Sequence, residues 1–196
     1  MAVVKYDKNE RKRFGQPAST ADTGITWATS SRPSAVEYRD GHIRKTVITV
    51  PSLTWATTTA SKGNGQAIYT FPEGFILPVA ARIVMSTTTG AATSTVAGEV
   101  GLGTTVASGA VSVLSGTAAF QNILDGKTLS NQVASTALAT SVTDAAGGTS
   151  GTQAAIDGSA TAATVYLNHA SAYTGTAGLT LNSATVTIWW IDLGDA

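Results

Sequence analysis

The sequence predicts an all-β protein: an antiparallel β-sandwich or small barrel preceded by an extended N-terminal arm. From residue 46 onward, short runs rich in β-branched residues alternate with turns that contain Gly, Pro and Asn. No segment of ten or more residues has a convincing helical period with caps. Because residues 1–45 differ in composition from the rest, we expect an arm at 1–45 and a β-sandwich body at 46–196.

The predicted arm is basic, whereas the predicted body is slightly acidic. Residues 1–45 contain nine Lys and Arg against five Asp and Glu, and the remaining residues contain three against seven. A charged arm without regular periodicity is ordered mainly when it binds a partner. Its positive charge favours an acidic partner surface. The residues expected to make that contact are Tyr6, Lys8, Arg11, Lys12, Arg13, Phe14, Trp27, Arg32, Tyr38, Arg39 and Arg44.

The first strands of the body are predicted from alternation and turn residues. TVITVPSLTWATTT (46–59) is β-rich, and its Pro51 indicates a sheet edge or a bulge because proline cannot donate to a central ladder. After the turn SKGNGQ, AIYTF (67–71) forms a strand, and FILPVAARIVMSTTT (75–89) forms a longer strand interrupted at Pro78. Further runs lie at 94–104, 110–114, 119–124 and 133–142, with DGK (125–127) as a turn and 131–140 as the best helix candidate.

The last third of the chain contains a long loop and two strands. Residues 143–161 are low in complexity and predict a loop that could form an exposed tip. Strands are predicted at 163–168 and 178–193. Because the final strand is long and strongly apolar, we expect it at the centre of a sheet.

Two adjacent tryptophans in this final strand must point to opposite faces. Val186, Ile188 and Trp190 form a uniformly apolar row, so Trp190 is predicted to lie in the core. Trp189 lies in the other row, which becomes apolar only towards its end. We therefore expect Trp189 to contact another subunit or the arm.

Composition excludes several classes of protein. Only 12% of the residues are charged, about half the usual share, which suggests that much of the surface is covered in use. There is no cysteine, so neither disulfides nor thiolate metal sites can form. No apolar run is long enough to span a bilayer, and charge begins at Lys5, too early for a signal peptide. We therefore expect neither a membrane partner nor secretion by that route.

Motifs for catalysis, metals and cofactors are absent, so we expect no catalytic, metal or cofactor site. His42 and His169 lack carboxylates at metal-ligand spacing and are predicted to be ordinary surface or interface residues. A glycosidase would need two facing carboxylates. The candidates for such a pair are Glu73, Glu99, Asp125, Asp144 and Asp157, and two of these lie in Asp-Gly turns, where Asp is common for backbone reasons.

Nucleic acids and sugars are the two alternatives to a protein partner. The basic run KNERKR (8–13) could neutralise phosphates, but it is interrupted by Glu10 and precedes an acidic body, so we expect no nucleic acid. The rings of Trp27, Trp55, Trp189 and Trp190 could stack on sugars. Packing in a core or an interface is the better interpretation for the last two, because they share the most apolar strand.

Several phrases of the body resemble a known class of protein. EVGLGT (99–104), FQNILDG (120–126), DGSATAATVYLN (157–168) and TVTIWWIDLGD (185–195) are similar to segments of the head decoration, or cement, proteins of tailed bacteriophages. The resemblance covers roughly residues 74–195 and leaves out the basic arm.

The resemblance implies a jelly-roll β-sandwich, a dimer or trimer, and binding to the major capsid protein on the outside of the assembled shell. It implies a virion location after assembly in the host cytoplasm, and it carries over no catalytic residue. One alternative is a head-fibre or tail-associated module that binds a receptor or glycan. Another is a polysaccharide-degrading enzyme.

Overall fold

The computed structural model describes residues 12–13, 25–27, 32–40, 43–57, 62–89, 98–129, 138–145, 154–171 and 177–194. These residues form thirteen strands in two antiparallel sheets. In chain order the strands are β1 (Lys12–Arg13), β2 (Ile25–Trp27), β3 (Ser34–Asp40), β4 (Ile43–Val50), β5 (Leu53–Thr57), β6 (Gly63–Thr70), β7 (Gly74–Thr89), β8 (Glu99–Gly103), β9 (Leu124–Thr128), β10 (Leu138–Ala145), β11 (Ile156–Gly158), β12 (Thr164–Ala170) and β13 (Ala177–Gly194).

The two sheets have the strand order of a jelly roll. Four antiparallel pairs, β4 with β13, β6 with β12, β7 with β10 and β8 with β9, form one long ribbon of paired strands. Rolling that ribbon gives β4-β13-β7-β10 in the large sheet and β6-β12-β8-β9 in the small sheet. The prediction of an all-β, jelly-roll sandwich is therefore confirmed.

Strand β13 lies at the centre of the large sheet, as predicted. One of its edges pairs with β4 and β5 in succession, and the other edge pairs with β7 from Leu179 to Gly194. Pro51 lies in the gap between β4 and β5, so it interrupts the edge without leaving a ladder bond unmade. On β7 the register shifts opposite Trp189 and Trp190, which pair with Ala80 and Pro78. A bulge thus accommodates the second proline.

The core lies between the inner faces of the two sheets. Alternate residues of β13 point into it, among them Val186, Ile188 and Trp190, each fully buried. Ile83 of β7 and Leu167 of β12 meet them from the two sheets. One cluster of buried apolar side chains thus joins both layers of the sandwich.

The outer face of the small sheet is covered by the loop at residues 104–123. Asn168 of β12 is fully buried beneath this loop; its Oδ1 accepts the Ala107 N–H at 2.9 Å, and its Nδ2 donates to the Thr105 and Phe120 carbonyls at 2.8 Å. From β8, the Glu99 carboxylate accepts the Leu114 N–H at 2.8 Å. Polar side chains of the sheet therefore satisfy the loop's backbone and hold it in place.

Several predicted boundaries are wrong in this region. Residues 110–114 and 119–124 were expected to form strands, but all of them except Leu124, the first residue of β9, belong to the covering loop, which contains 3₁₀ turns at Leu114–Gly116 and Ala118–Phe120. Leu114 is buried outside the small sheet with Ala107 and Ala170, and Phe120 packs against this group, whereas Ile123 belongs to the main core. Alternation alone cannot distinguish such a loop from a strand.

Segments predicted as turns, a loop or a helix also contain strands. Gly63–Gln66 and Asp125–Lys127, expected as turns, lie within β6 and β9, where backbone pairing outweighs the local preference of Gly and Asp. Strands β10 and β11 extend into the stretch predicted as a loop at 143–161, of which 146–153 lies outside the described residues. The helix candidate at 131–140 is also wrong where it is described, because Leu138–Thr140 belong to β10.

The boundary expected at residue 45 falls inside β4. Residues 34–40 and 43–45, assigned to the arm, are strands of the large sheet, where β3 and β4 pair from Ser34 with Thr49 to Asp40 with Ile43. Of the preceding residues, β1 pairs with β3 and β2 pairs with β5. The described parts of the predicted arm therefore lie alongside the body of the same chain.

His169 of β12 is buried, contrary to the expectation of a surface or interface residue. It is 2% exposed, and its imidazole stacks on the Trp55 indole with ring centroids 5.1 Å apart and an interplanar angle of 9°. Burial lowers the pKa of the imidazole from 6.5 to about 4. At neutral pH the ring is therefore an uncharged member of the core.

We expect His169 to make the fold sensitive to mild acid. Because the pKa of the folded state is the lower one, stability is lost as pH falls below 6.5, and the loss is complete below about 4. Between pH 7 and pH 5 this amounts to about 2 kcal/mol. Chemical denaturation at both pH values measures it, and His169→Phe, which retains a ring beside Trp55, should give nearly equal stabilities. An equal loss in both proteins would contradict the assignment.

Candidate partner-binding face

The outer face of the large sheet is open in the described part of the chain, in contrast to the covered face of the small sheet. Its strands carry large apolar side chains that remain accessible, including Tyr38 at 39%, Ile43 at 43% and Val84 at 39%. Contiguous exposed apolar surface is the usual mark of an interaction site. This face is therefore the candidate functional site.

An aromatic row crosses three neighbouring strands of this face. Register pairs Tyr38 of β3 with Lys45 of β4, and Lys45 with Trp189 of β13. The Lys45 ammonium lies 5.7 Å from the Tyr38 ring centroid and 5.8 Å from that of Trp189, within range of cation–π attraction to both. The next row pairs Ile43 with Ile191. We refer to Tyr38, Ile43, Lys45, Trp189 and Ile191 as the outer-face cluster.

Trp190 faces the core, as predicted. It is fully buried, its Nε1 donates to Thr46 Oγ1 at 2.9 Å, and its ring meets Phe71, which directly follows β6, edge-on with centroids 5.1 Å apart. Its indole N–H is thus satisfied within the sandwich. Trp189, in contrast, is half-buried on the outer face. Whether Trp189 contacts another subunit remains a prediction.

Behind the outer-face cluster, an ionic group holds β3, β4 and β13 together. The Arg44 guanidinium donates to Glu37 at 3.2 Å and to Asp192, and it lies 4.8 Å from the Trp190 ring centroid. The Glu37 side chain is only 3% exposed. Because Glu37 and Arg44 alternate along their strands with Tyr38 and Lys45, anchoring the first pair inward orients the second pair outward.

Tyr69 of the small sheet also lies near this ionic group. Its pKa is raised from 10.0 to about 12, first by burial and then by the negative charge of Glu37, while a hydrogen bond with Thr46 and the Arg44 charge oppose the shift. The phenol is therefore neutral throughout the physiological range and contributes to the core as a polar but uncharged group.

The predicted arm contacts are divided among several places. Tyr38 belongs to the outer-face cluster, whereas Arg44 is used within the molecule. Arg39, with a side chain 58% exposed, lies 3.8 Å from Glu37. Lys12 and Arg13 form β1, Trp27 ends β2 opposite Leu53, and Arg32 is exposed ahead of β3. Tyr6, Lys8, Arg11 and Phe14 lie outside the described residues.

The carboxylates considered for catalysis lie in different sheets. Glu73 and Asp157 lie near the β7–β11 edge of the large sheet, while Glu99 and Asp125 lie on β8 and β9 of the small sheet. Glu99 binds the Leu114 N–H, and hydrogen bonds from Ser159 lower the pKa of Asp157. Each of these two carboxylates thus has a local structural partner.

Two structural features are absent from the described residues. They contain no group of three or more His, Cys, Asp or Glu placed to hold a metal ion. They also contain no helix long and apolar enough to cross a membrane.

Comparisons with known proteins give little further information. No protein-family model matches the chain, and no match was found among characterised protein sequences. Among solved structures, the chain is similar to a "xylan-binding module CBM15", with a TM-score of 0.32 and 16% identity over 97% of this chain and 96% of the other. A TM-score of that size supports no inference about function.

Sequence reasoning found Trp189 and Tyr38 but did not bring them together. Tyr38 was assigned to an arm, and neither Lys45 nor Ile43 was singled out. The available signal was the alternation of Val36 and Tyr38 with the charged Glu37 and Arg39, which becomes interpretable only once the inward ion pair of Glu37 and Arg44 is known.

We expect Arg44→Met to destabilise the fold by about 3 kcal/mol, because it leaves the buried Glu37 carboxylate without its cation. The matched control is Arg39→Met, whose exposed side chain should cost less than about 1 kcal/mol. Adding Glu37→Gln to Arg44→Met should restore part of the loss. Denaturant unfolding measures all three variants, and equal, small effects for both arginines would contradict the structural role of Arg44.

Proposed function

We propose that this protein is a non-enzymatic virion structural protein that binds the outside of the assembled phage capsid and stabilises contacts between major capsid protein subunits. The outer face of the large sheet is its contact surface. The observation that carries the proposal is the outer-face cluster, an aromatic and aliphatic patch on β3, β4 and β13 in which Tyr38 and Ile43 are exposed and Trp189 is half-buried. The resemblance of residues 74–195 to head decoration proteins supplies the class of partner.

The chemistry of the cluster suits a protein surface. Trp and Tyr provide large apolar contact areas with few rotatable bonds, and they dominate the energetics of protein interfaces. Trp189 is held by hydrogen-bonded neighbours on both sides, Lys45 on β4 and Ala80 on β7. Its position is therefore fixed before binding, which lowers the entropy cost of association.

Charge on this face favours an acidic partner. Lys45 of β4 and Arg82 of β7, the strands on either side of β13, are exposed on the outer face. Asp157, an exposed carboxylate of the outer face, lies at the far β11 edge, and Ser159 donates to it. Two copies meeting face to face would bring their Lys45 residues together, and like charges oppose such contact. We infer that the face meets the capsid protein, and that a dimer or trimer forms through other surfaces.

In this proposal the protein functions at the capsid surface after assembly in the host cytoplasm. It requires large packed contacts and no bound cofactor, nucleic acid or membrane. Many copies on one shell would multiply individually weak contacts. The low charge of the chain, 12%, reduces the desolvation cost of close packing between neighbours.

Trp189→Ala should weaken binding to preassembled capsid shells roughly 30-fold while leaving the fold intact, since a central interface tryptophan contributes about 2 kcal/mol or more. Co-sedimentation with purified shells measures the affinity. The control is Thr185→Ala. Thr185 is an exposed residue on the same face of β13, four residues before Trp189. Equal binding by wild type and Trp189→Ala would rule out this contact surface.

The basic arm is proposed to add a second contact across adjacent capsid subunits. The deletion that tests it should end at residue 31, so that it removes only the short strands β1 and β2 at the ends of the sheet order and leaves β3 in place. We expect the shortened chain to fold and to bind shells more weakly, with less dependence on salt concentration. Undiminished binding would show that the arm does not contribute.

A second candidate is a head-fibre or tail-associated module that binds a glycan. The observation that favours it is the pair of rings on the outer face, the half-buried Trp189 and the exposed Tyr38, which lie on either side of Lys45 and on which a sugar could stack. Tryptophan fluorescence with and without oligosaccharides, repeated on Trp189→Ala, distinguishes the two functions. A saturable change lost in the variant would favour the glycan-binding module over the cement protein.

A further inference from the structure

Three buried polar side chains meet between the two sheets, away from the outer face. Trp55 extends from β5 of the large sheet, and Asn64 and His169 extend from β6 and β12 of the small sheet; each is 2% exposed or less. His169 stacks on Trp55 with centroids 5.1 Å apart. Asn64 is the register partner of His169, so their side chains lie side by side on the inner face.

Four polar atoms of this group make no hydrogen bond within the described part of the chain. They are Trp55 Nε1, both Asn64 amide atoms and His169 Nδ1. By comparison, two other buried polar groups of the sandwich are satisfied: Trp190 Nε1 donates to Thr46, and the Asn168 amide makes three hydrogen bonds. An unbonded buried polar atom costs a sizeable fraction of a domain's net stability, so four at one place require a partner.

We propose that Trp55, Asn64 and His169 form an internal water-binding site that joins the two sheets and holds about one or two ordered water molecules. The donor and acceptor pattern selects this ligand. Trp55 Nε1 and Asn64 Nδ2 require an acceptor, Asn64 Oδ1 requires a donor, and neutral His169 Nδ1 can take either role. Exchanging the two amide atoms of Asn64 leaves the same demand.

Other ligands fit these groups poorly. A metal cation would meet the N–H groups of Trp55 and Asn64, and an anion would meet the Asn64 carbonyl oxygen, with no charged side chain among the three residues to compensate for either. A bulky organic ligand would require exposed walls, which these nearly inaccessible side chains do not provide. Water donates two hydrogen bonds and accepts two, so it matches the mixed demand.

A high-resolution crystal structure of the full chain tests the proposal directly. We expect density for water within hydrogen-bonding distance of Trp55 Nε1 and the Asn64 amide. Side chains bonded to one another or to another segment of the chain, with no solvent between them, would overturn it. So would a metal ion or an organic molecule at this position.

A double-mutant cycle in solution provides an independent test. Asn64→Leu and Trp55→Phe each remove one side of the shared water, so the second change should cost less once the first is present. Each substitution should increase the equilibrium constant for unfolding. We expect the increase in the double variant to be smaller than the product of the two single-variant increases by a factor of about three or more. The control pair, Asn64→Leu with Thr46→Val at the Trp190 site, should combine multiplicatively. If the changes in the unfolding constant multiply in both pairs, Trp55 and Asn64 do not share a water molecule and the proposal is wrong.

Discussion

The structure depends on the alternation of side chains along β13, a strand that is hydrogen-bonded on both edges. Because β4 and β5 fix one edge and β7 fixes the other, the strand cannot shift its register without breaking both ladders. A shift of one residue would exchange the positions of Trp189 and Trp190. Trp190 would lose its hydrogen bond to Thr46 and its contact with Phe71. Pairing on both edges thus determines which tryptophan belongs to the core and which to the surface.

The two sheets of the jelly roll differ in whether a segment of the described chain covers their outer face. The small sheet is covered by the loop at 104–123, whose backbone is satisfied by Asn168 and Glu99. The large sheet carries Tyr38, Lys45 and Trp189 on its outer face, oriented by the inward ion pair of Glu37 and Arg44. The molecule therefore has one face stabilised by its own chain and another with side chains suited to a partner. That asymmetry underlies the proposed function.

Much of the strand content could be predicted from local patterns. Strands β7, β12 and β13 were located to within about two residues because they are long, β-branched and apolar on at least one face. Strand β3 was missed because Glu37 and Arg39 occupy the row that faces inward, where the pattern requires apolar residues. The order of the strands could not be predicted, since it depends on pairs such as β4 with β13 that lie far apart in the chain. The candidate site was found only in part for the same reason: Tyr38 and Trp189 become neighbours through Lys45, which lies between them in the sheet.

The most direct test of the central claim is a cryo-electron microscopy map of capsid shells saturated with this protein. The map should place the outer face of the large sheet, with Trp189 and Tyr38, against the shell, and acidic side chains of the capsid protein near Lys45. A map in which that face points to solvent would contradict the account. So would a map without density for the protein after the shells were incubated with it at saturating concentration.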